Sequence, residues 1–469
     1  MNPAKTHHPV FEFERVLELV PARVFAFGSS DSKERAMAVA YSGGLDSSVL
    51  LSLAHAWTAK KGWRLFAFHI HHGLSEKADN WLVHCRKTCE QLAVPFDFRK
   101  VSVNREEGEG IEAIARRERY AALTDLCRQY GVSLLLTAHH EDDQAETVMM
   151  QLMRGAGVAG LSGMDVLGTI PGEADEAAPQ LLRPLLSVPR RALENWAHEN
   201  SLVWVEDDSN LDARYARNAI RQKVAPVLAG FFPGFESRIA RSARHMQSAS
   251  RLLNVLAEMD WDSCRDGDAL DIIRMSALGE DRFDNLFRFW LGAHGVRMPS
   301  TAWLRQARTQ LLDARADAQI RLELEGAAIR RYQRHLLFQA PEKVQVADTV
   351  AEIPLPPFVW RGEPRMEMSA FGGAFLFEPA PEGVNAQWLR TQTLTPGVYA
   401  GSAMLKVSAN RPARSLKAHS QTLRIPAWER QRLPLLYAGE TLLFAAGIGT
   451  AVACTGSGES CIRIDWVFA

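Results

Sequence analysis

Short apolar runs of strand length alternate with stretches of helical spacing along the first 210 residues, and this alternation restricts the fold more than any other feature. The predicted strands are 36–41, 63–70, 96–101 and 133–138. The predicted helices are 47–60, 79–93, 110–130 and 142–154. Strands joined through helices run parallel, because each connection crosses the sheet with a right-handed turn. The sequence therefore predicts an α/β fold with a doubly wound parallel sheet, in which ligands bind at the carboxyl ends of the strands.

The pattern changes further along the chain. Residues 163–180 are rich in Gly, Pro and acids, which predicts a long loop. From about 226 the strand-like runs stop, and 235–315 has helical spacing before a predicted strand pair in 319–338. We therefore predict four parts, namely the doubly wound domain at 1–225, a mainly helical domain at 226–340, a linker at 341–358 and a small α+β C-terminal domain at 359–469.

Composition argues against several classes of protein. No stretch approaches the roughly 20 apolar residues that a membrane helix needs. The amino terminus lacks the apolar core of a secretion signal, so we expect a cytoplasmic protein with no membrane partner. The six cysteines are scattered and form no Cys-x-x-Cys pair, which argues against a disulfide framework, a zinc ribbon or a cysteine-ligated cluster.

Positive charge is concentrated in one segment, although the formal net charge of the chain is only −1. Between Leu211 and Arg251, eight Lys and Arg residues face only Asp212 and Glu236. Such a surplus is typical of a surface that binds polyanions. Composition alone leaves a solvated helix face as an equal alternative.

The first predicted strand ends in Ser42-Gly43-Gly44 and passes directly into a helix through Leu45, Asp46 and Ser47. The glycines permit positive φ, and the exposed N–H groups and dipole of the helix favour an anion, so the sequence predicts a phosphate site. It matches neither the lysine-containing P-loop nor the Gly-x-Gly-x-x-Gly turn. Asp46 would repel a bare phosphate, which indicates a Mg²⁺ ion between them.

Ser-Gly-Gly-x-Asp-Ser at this position resembles the signature of the PP-loop, or N-type, ATP pyrophosphatases, which have an adenine nucleotide alpha hydrolase-like fold. These enzymes cleave ATP between its α and β phosphates, adenylate a substrate and release pyrophosphate. The resemblance implies that 1–225 is the catalytic domain and that ATP is a co-substrate. Its phosphates would lie on Ser42, Gly43, Gly44, Leu45, Asp46 and Ser47. Mg²⁺ would be held by Asp46 together with Asp143, or with Asp142 in its place.

Further stretches narrow the resemblance. They are 69-HIHHGL-74, 111-IEAIARRERYAAL-123, 137-TAHHEDDQAETVMM-150, 206-EDDSNLDARYARNAIRQKV-224 and the tail from 411. Together they resemble the tRNA(Ile)-lysidine synthetases. That family adenylates the wobble cytidine of the CAU-anticodon isoleucine tRNA and then attaches free L-lysine at carbon 2, with release of AMP. The resemblance implies tRNA(Ile) as partner, with the helical and C-terminal domains binding it, and it is compatible with a homodimer.

Site residues follow from the resemblance and from the chemistry. The predicted catalytic residues are Asp46, His139, Asp143 and Glu146. The predicted substrate-binding residues are Arg116, Arg154, Arg217, Asn218 and Arg221. The lysine amine, with an ordinary pKa of about 10.4, must lose a proton before it attacks, and His139, Asp143 and Glu146 all remain open as the base.

Three other functions compete with this prediction. A PP-loop tRNA thiolation enzyme would share the ATP chemistry, but such enzymes typically deliver sulfur through cysteine pairs, which this chain lacks. An amidotransferase-type synthetase would need a nucleophilic cysteine or an ammonia tunnel. An RNA-binding module with ATP as a structural ligand would release no pyrophosphate.

Overall fold

The computed structural model describes residues 8–21, 24, 35–71, 73, 77–101, 111–172, 178–206, 216–315, 320–324, 327–340, 356–423, 425–430 and 432–468. These residues belong to two compact units, Met1–Val255 and Leu256–Ala469. Most of the predicted linker, 341–355, lies outside the described residues, and the bounds of the four predicted parts stay predictions. No helix in the described ranges is both long and apolar enough to cross a membrane.

The first unit contains one six-stranded sheet among its described residues. Its strands are β1 (Ala36–Ala40), β2 (Arg64–His71), β3 (Phe96–Lys100), β4 (Leu134–Leu136), β5 (Leu167–Thr169) and β6 (Gln180–Leu182). Its helices are α1 (Pro9–Glu18), α2 (Leu45–Lys61), α3 (Ala78–Gln91), α4 (Ile111–Tyr130), α5 (Glu141–Met153), α6 (Val158–Leu161), α7 (Arg190–Glu199), α8 (Ala216–Ala219) and α9 (Ala225–Phe231). A π-helical turn, Ile220–Val224, joins the last two. Helix α10 (Phe235–Cys264) continues from this unit into the next.

The strand order is β3-β2-β1-β4-β6-β5, and all neighbours are parallel except the pair of β5 and β6. Alternate residues of β1 enter different cores, because successive side chains of a strand point to opposite faces. Met37 and Val39 pack in the core that includes residues of α2, whereas Ala36 and Ala38 pack with residues of α4. Helices therefore cover both faces, and the predicted doubly wound α/β fold is confirmed.

One local prediction about this unit is wrong. The stretch predicted as a continuous loop, 163–180, contains β5, which pairs antiparallel with β6 through Leu167, Gly168 and Thr169. The pairing depends on β6, the next strand in the chain, so three residues with no periodicity of their own become an edge strand. Residues 173–177 of this stretch lie outside the described residues.

The second unit combines helices with antiparallel sheets. Its further helices are α11 (Ile272–Ala277), α12 (Glu280–Ala293), α13 (Thr301–Asp313), α14 (Ala386–Thr391), α15 (Leu416–Thr422) and α16 (Ala427–Arg430). Its strands are β7 (Arg265–Asp266), β8 (Ala269–Asp271), β9 (Ile320–Leu324), β10 (Ala327–Tyr332), β11 (His335–Gln339), β12 (Arg365–Met368), β13 (Gly373–Asn385), β14 (Leu394–Gly397), β15 (Met404–Leu405), β16 (Arg414–Ser415), β17 (Leu435–Ala438), β18 (Thr441–Ala445), β19 (Gly449–Thr450) and β20 (Thr455–Phe468).

The predicted helical region is helical, but it also contributes strands to a sheet of order β7-β8-β11-β10-β9. The hairpin of β7 and β8 was not predicted within 235–315. The strand pair predicted at 319–338 is also a miscount, because that stretch holds the three strands β9, β10 and β11 of this sheet. The remaining strands form sheets of orders β12-β13-β20, β14-β17-β18-β19 and β15-β16. With α14 to α16 they give the small α+β part that was predicted at the C-terminal end.

Candidate active site

The loop between β1 and α2 is built to receive an anion. Gly43 has φ of +86°, a left-handed conformation that favours glycine, and Gly44 precedes the first turn of the 17-residue helix α2. No side chain in the described structure caps this helix end, so its N–H groups point toward the cavity edge without that competitor. Ser42 Oγ lies 3.0 Å from Ser47 Oγ, and Ser47 Oγ donates to the carbonyl of Gly44 at 3.0 Å. Backbone and hydroxyl donors therefore converge on one site that favours phosphate.

The two glycines of the loop differ in the space around them. A Cβ on Gly43 would lie 2.8 Å from Cys85 Sγ and 3.2 Å from Val205 Cγ2, closer than ordinary contact. A Cβ on Gly44 would lie 3.6 Å from Ser42 Oγ, which is ordinary contact. Val205 N–H also donates to the carbonyl of Gly43 at 3.0 Å. Gly43 is therefore enclosed between α3 and the segment that follows α7.

We expect Gly43→Ala to lower the free energy of unfolding by about 2 kcal/mol, because it combines a left-handed residue with a steric overlap. Gly44→Ala, the matched control, should cost well under half as much. Adding Cys85→Ala to Gly43→Ala should recover part of the loss, since it removes the nearer contact and leaves the backbone strain. Urea unfolding of the wild type, the two glycine variants and the double variant measures these free energies. Equal losses of stability from the two glycine substitutions would contradict the prediction.

Asp46 and Asp143 bring two carboxylates to the cavity from different helices. Asp46 Oδ1 is buried and has no hydrogen-bond partner among the described residues, while Oδ2 lies 3.7 Å from His140 Nε2. Burial raises the pKa of Asp46. Burial would also raise the pKa of Asp143, but the neighbouring histidines, Arg217 and Arg221 together lower it. An unpartnered carboxylate oxygen beside a second, ionised carboxylate fits the oxygen ligands that Mg²⁺ takes from a protein when phosphates supply the rest.

His140 fixes the start of α5. Its Nδ1 accepts from the backbone N–H of Asp143 at 3.4 Å, and its own N–H donates to Asp143 Oδ2 at 3.2 Å. Asp142 turns instead to α7, where its Oδ1 accepts from the backbone N–H of Arg190 at 3.0 Å. Of the two acids left open by the sequence, Asp143 is therefore the one whose side chain lines the cavity.

His139 is a weak base in this environment. Its Nδ1 lies 2.9 Å from Thr137 Oγ1. Burial, reinforced by the positive charges of Arg183, Arg116 and Arg119, lowers the pKa of His139 to about 3, although Asp143 acts in the opposite direction. The imidazole is consequently neutral near pH 7 and holds an added proton poorly.

A wall of arginines forms another side of the cavity. Arg116 and Arg119 lie over the ring of Tyr120 at 5.0 Å and 5.3 Å, and Arg116 Nη2 donates to its hydroxyl at 3.4 Å. Arg183 is 7% exposed, and its Nη1 donates to the carbonyl of Asp165 at 2.8 Å. Burial lowers the pKa of Arg183, and the charge of Arg116 acts in the same direction. Such crowding of like charge favours an anionic ligand.

Glu146 is the centre of an ion-pair network between α5 and the helix that starts with α8. Arg221 donates to both of its carboxylate oxygens, at 2.6 Å and 3.0 Å, and Arg217 Nε lies 3.2 Å from Oε2. Arg221 also donates to Asp143 Oδ1 at 3.1 Å. Burial raises the pKa of Glu146 in spite of these partners. The network therefore holds two carboxylates with opposite pKa shifts side by side.

A cavity of about 840 Å³ joins these parts at the carboxyl edge of the sheet. Ten residues predicted from the sequence line it, namely Ser42, Gly44, Leu45, Asp46, Ser47, Arg116, His139, Asp143, Arg217 and Arg221. Gly43, Glu146, Arg154 and Asn218 do not line it. Arg154 follows the last turn of α5, at the end opposite to His140. Its role and that of Asn218 stay predictions.

Some lining residues were missed by the sequence reading. They include Tyr120, Arg190 and Trp204, and Arg183 stands behind the wall. Trp204 comes just before Val205, whose N–H donates to the carbonyl of Gly43. Its ring packs edge-on against His198, with the ring centroids 5.3 Å apart. An isolated Tyr, Trp or Arg has no sequence pattern around it that would mark it as a site residue. For Arg183, its place next to Pro184 after a buried strand could have drawn attention to the strand end.

A parallel sheet with this serine–glycine loop, facing acids and arginines across one cavity, defines an ATP-using protein of the PP-loop class, and a PP-loop domain profile matches residues 17–228. The chain is 43% identical over 434 residues to a tRNA(Ile)-lysidine synthase from Ralstonia nicotianae, covering 90% of this chain and 91% of the relative. It belongs to the tRNA(Ile)-lysidine synthase family.

Other comparisons cover the rest of the chain. Profiles of the TilS substrate binding domain and the TilS substrate C-terminal domain match residues 270–337 and 394–466. A tRNA(Ile)-lysidine synthase from Burkholderia pseudomallei is 38% identical over 465 residues, with 92% of this chain and 93% of the relative covered. Among solved structures, the U34-tRNA thiolase NcsA from Methanococcus maripaludis aligns with a TM-score of 0.41 at 16% identity, over 50% of this chain and 78% of that chain. That likeness is too low to support an argument, and the thiolation alternative is the weaker one.

Proposed function

We propose that this chain uses ATP to attach free L-lysine to carbon 2 of the wobble cytidine of the CAU-anticodon isoleucine tRNA, which would change the tRNA's codon and amino-acid specificity from Met to Ile. The observation that carries the proposal is the cavity, which brings together a phosphate-binding loop, an arginine wall and two carboxylates. In a family defined by lysidine formation, these parts correspond to ATP, RNA and lysine.

The first step is adenylation of the cytidine. Its carbonyl oxygen attacks the α phosphate of ATP, and pyrophosphate leaves. The N–H groups and hydroxyls from Ser42 to Ser47 hold the departing β and γ phosphates, where developing charge is stabilised most. Mg²⁺ held by Asp46 and Asp143 would offset phosphate charge. The arginine wall faces the loop and would hold RNA or α-phosphate oxygens.

The second step is attack of the lysine ε-amine on carbon 2, with AMP leaving together with the former carbonyl oxygen. The two neighbouring carboxylates suit different tasks, because their pKa values shift in opposite directions. Asp143 stays ionised and attracts the cationic lysine. Glu146, the stronger base, is buried behind the cavity wall and paired with Arg221, so it takes the proton only once Arg221 moves aside and the lysine amine reaches it. His139 is too weak a base for this step.

Helix α10 adds a surface for the tRNA. Its exposed arginines recur on one side of the helix and are Arg238, Arg241, Arg244 and Arg251. Phosphate contacts of this kind supply affinity without reading sequence. We propose that they bind the tRNA, together with the parts that match the substrate domains.

The cysteines weigh against thiolation. No described cysteine lines the cavity. Cys85 and Cys89 are buried, and burial raises the pKa of Cys89 to about 12, so its thiol stays protonated and unreactive.

The test is incubation with ATP, Mg²⁺, lysine and an unmodified isoleucine tRNA transcript with a CAU anticodon, followed by nucleoside mass spectrometry. We expect a cytidine heavier by lysine less water and stable to the mild base that cleaves aminoacyl esters. A transcript with uridine at the wobble position is the matched control. An unchanged cytidine, with ATP still split to AMP and pyrophosphate on another acceptor, would retain the ATP site and refute lysidine formation.

A further inference from the structure

Two aromatic rings stand in solvent at the turn between α9 and α10. Phe231 is 78% exposed and Phe232 is 55% exposed, whereas Phe235, three residues on, is 6% exposed. Large aromatic side chains normally bury most of their area, so an adjacent exposed pair points to a surface that contacts a partner.

The turn holds the rings in a defined place. Phe232 N–H donates to the carbonyl of Leu228 at 2.7 Å, which closes α9. Pro233 has its own φ fixed by its ring, and Gly234 adopts φ of +73°, which favours glycine. Buried Phe235 then anchors the start of α10. The two rings are consequently presented on a stiff support.

Charge identifies the kind of partner. No acid occurs from 216 to 235, and exposed cations lie on both sides of the turn, at Lys223 before it and at Arg238 and Arg241 after it. Exposed aromatic rings within a basic surface are the arrangement by which proteins bind unpaired nucleotides, since the rings stack on bases and the cations contact phosphates.

The position relative to the cavity fits the same partner. Arg221 lines the cavity and precedes Phe231 by ten residues of nearly continuous helix, about 15 Å along its axis. When one nucleotide of an RNA enters the cavity, the nucleotides next to it in the RNA lie within reach of the turn.

We propose that Phe231 and Phe232 form a stacking platform for unpaired bases of the anticodon loop next to the nucleotide that enters the cavity. The inference rests on the proposed function, because it takes the substrate to be that tRNA. The platform positions RNA and takes no part in the chemistry.

The experiment measures lysidine formation and binding of an anticodon stem-loop with 2-aminopurine beside the wobble cytidine. Phe231→Ala and Phe232→Ala should each raise KM and Kd for RNA about tenfold, with kcat within about twofold, and reduce the 2-aminopurine quenching. Phe231→Tyr should keep RNA binding and quenching near the wild-type level. Phe231→Leu, which keeps apolar volume but cannot stack in the same way, should lose both. Phe11→Ala, an exposed ring on α1, is the matched control and should change neither.

Two other outcomes overturn the platform, and a third separates it from the proposed function. If the alanine variants bind RNA as the wild type does and sedimentation shows that they lose self-association, the surface is an interface between copies. If neither RNA binding nor sedimentation changes, the rings are a solvated turn. If wild-type protein makes no lysidine but the alanine variants still lose stem-loop binding and quenching, the platform stands and the proposed function fails.

Discussion

Asp46→Asn is expected to lower kcat for lysidine formation about 10²–10³-fold while leaving the fold intact. The side chain lies in the first turn of α2, beside the phosphate loop, and its Oδ1 has no partner among the described residues. An amide keeps the shape but removes the negative charge that a divalent cation requires. Single-turnover assays at saturating ATP, with Mg²⁺ varied, measure the loss and should show a weaker dependence on the metal.

Asp142→Asn is the matched control. Asp142 accepts a hydrogen bond from the backbone of Arg190, and an amide oxygen can accept the same bond. Its kcat should stay within about threefold of wild type. A loss in Asp142→Asn as large as that in Asp46→Asn would place the metal on Asp142 and refute the assignment of Asp143 as the second ligand.

Glu146→Gln should affect both stability and lysine use. Removal of one partner from a fully buried ion pair costs about 3–5 kcal/mol, and we expect about 1–3 kcal/mol here because Arg217 and Arg221 keep part of their water contact. If Glu146 is the base for lysine, kcat/KM for lysine should also fall about 10²-fold. Urea unfolding and initial rates at varied lysine and pH measure the two effects separately.

Glu378→Gln provides the comparison, because Glu378 forms an exposed pair with Arg463 far from the cavity residues in sequence. Its loss of stability should be below about 0.5 kcal/mol, with no change in lysine use. A Glu146→Gln enzyme that is destabilised but has an unchanged kcat/KM for lysine would leave Glu146 as a support of the helix network and return the role of base to Asp143.

The sequence was most informative where one segment carries a whole structural unit. Strand β1, the glycine turn and α2 are contiguous, so the periodicity and the turn residues together predicted both the fold and the phosphate site. Strand β5 and the hairpin of β7 and β8 were missed because each is two or three residues long. Their conformation depends on a partner strand, such as β11 for β8, and not on local preference.

The cavity shows the same division. Ser42 to Ser47 and the run from His139 to Asp143 could be identified because each lies together at a strand end. Trp204 could not, because it acts through neighbours brought together by packing. Pairing of Arg221 with Glu146 was equally hidden, since each residue alone reads as an ordinary helix charge, and only the structure brings them within 2.6 Å.

The cap of α5 has a consequence for the tautomer of one imidazole. His140 Nδ1 accepts from the Asp143 N–H, so the ring proton of the neutral form must sit on Nε2, which lies 3.7 Å from Asp46 Oδ2 and 3.3 Å from Asp143 Oδ2. A single ring thereby spans two acids that belong to different helices. Their separation is set when the chain folds, so little reorganisation remains when a ligand arrives, and preorganisation of this kind lowers the barrier to the chemistry that follows.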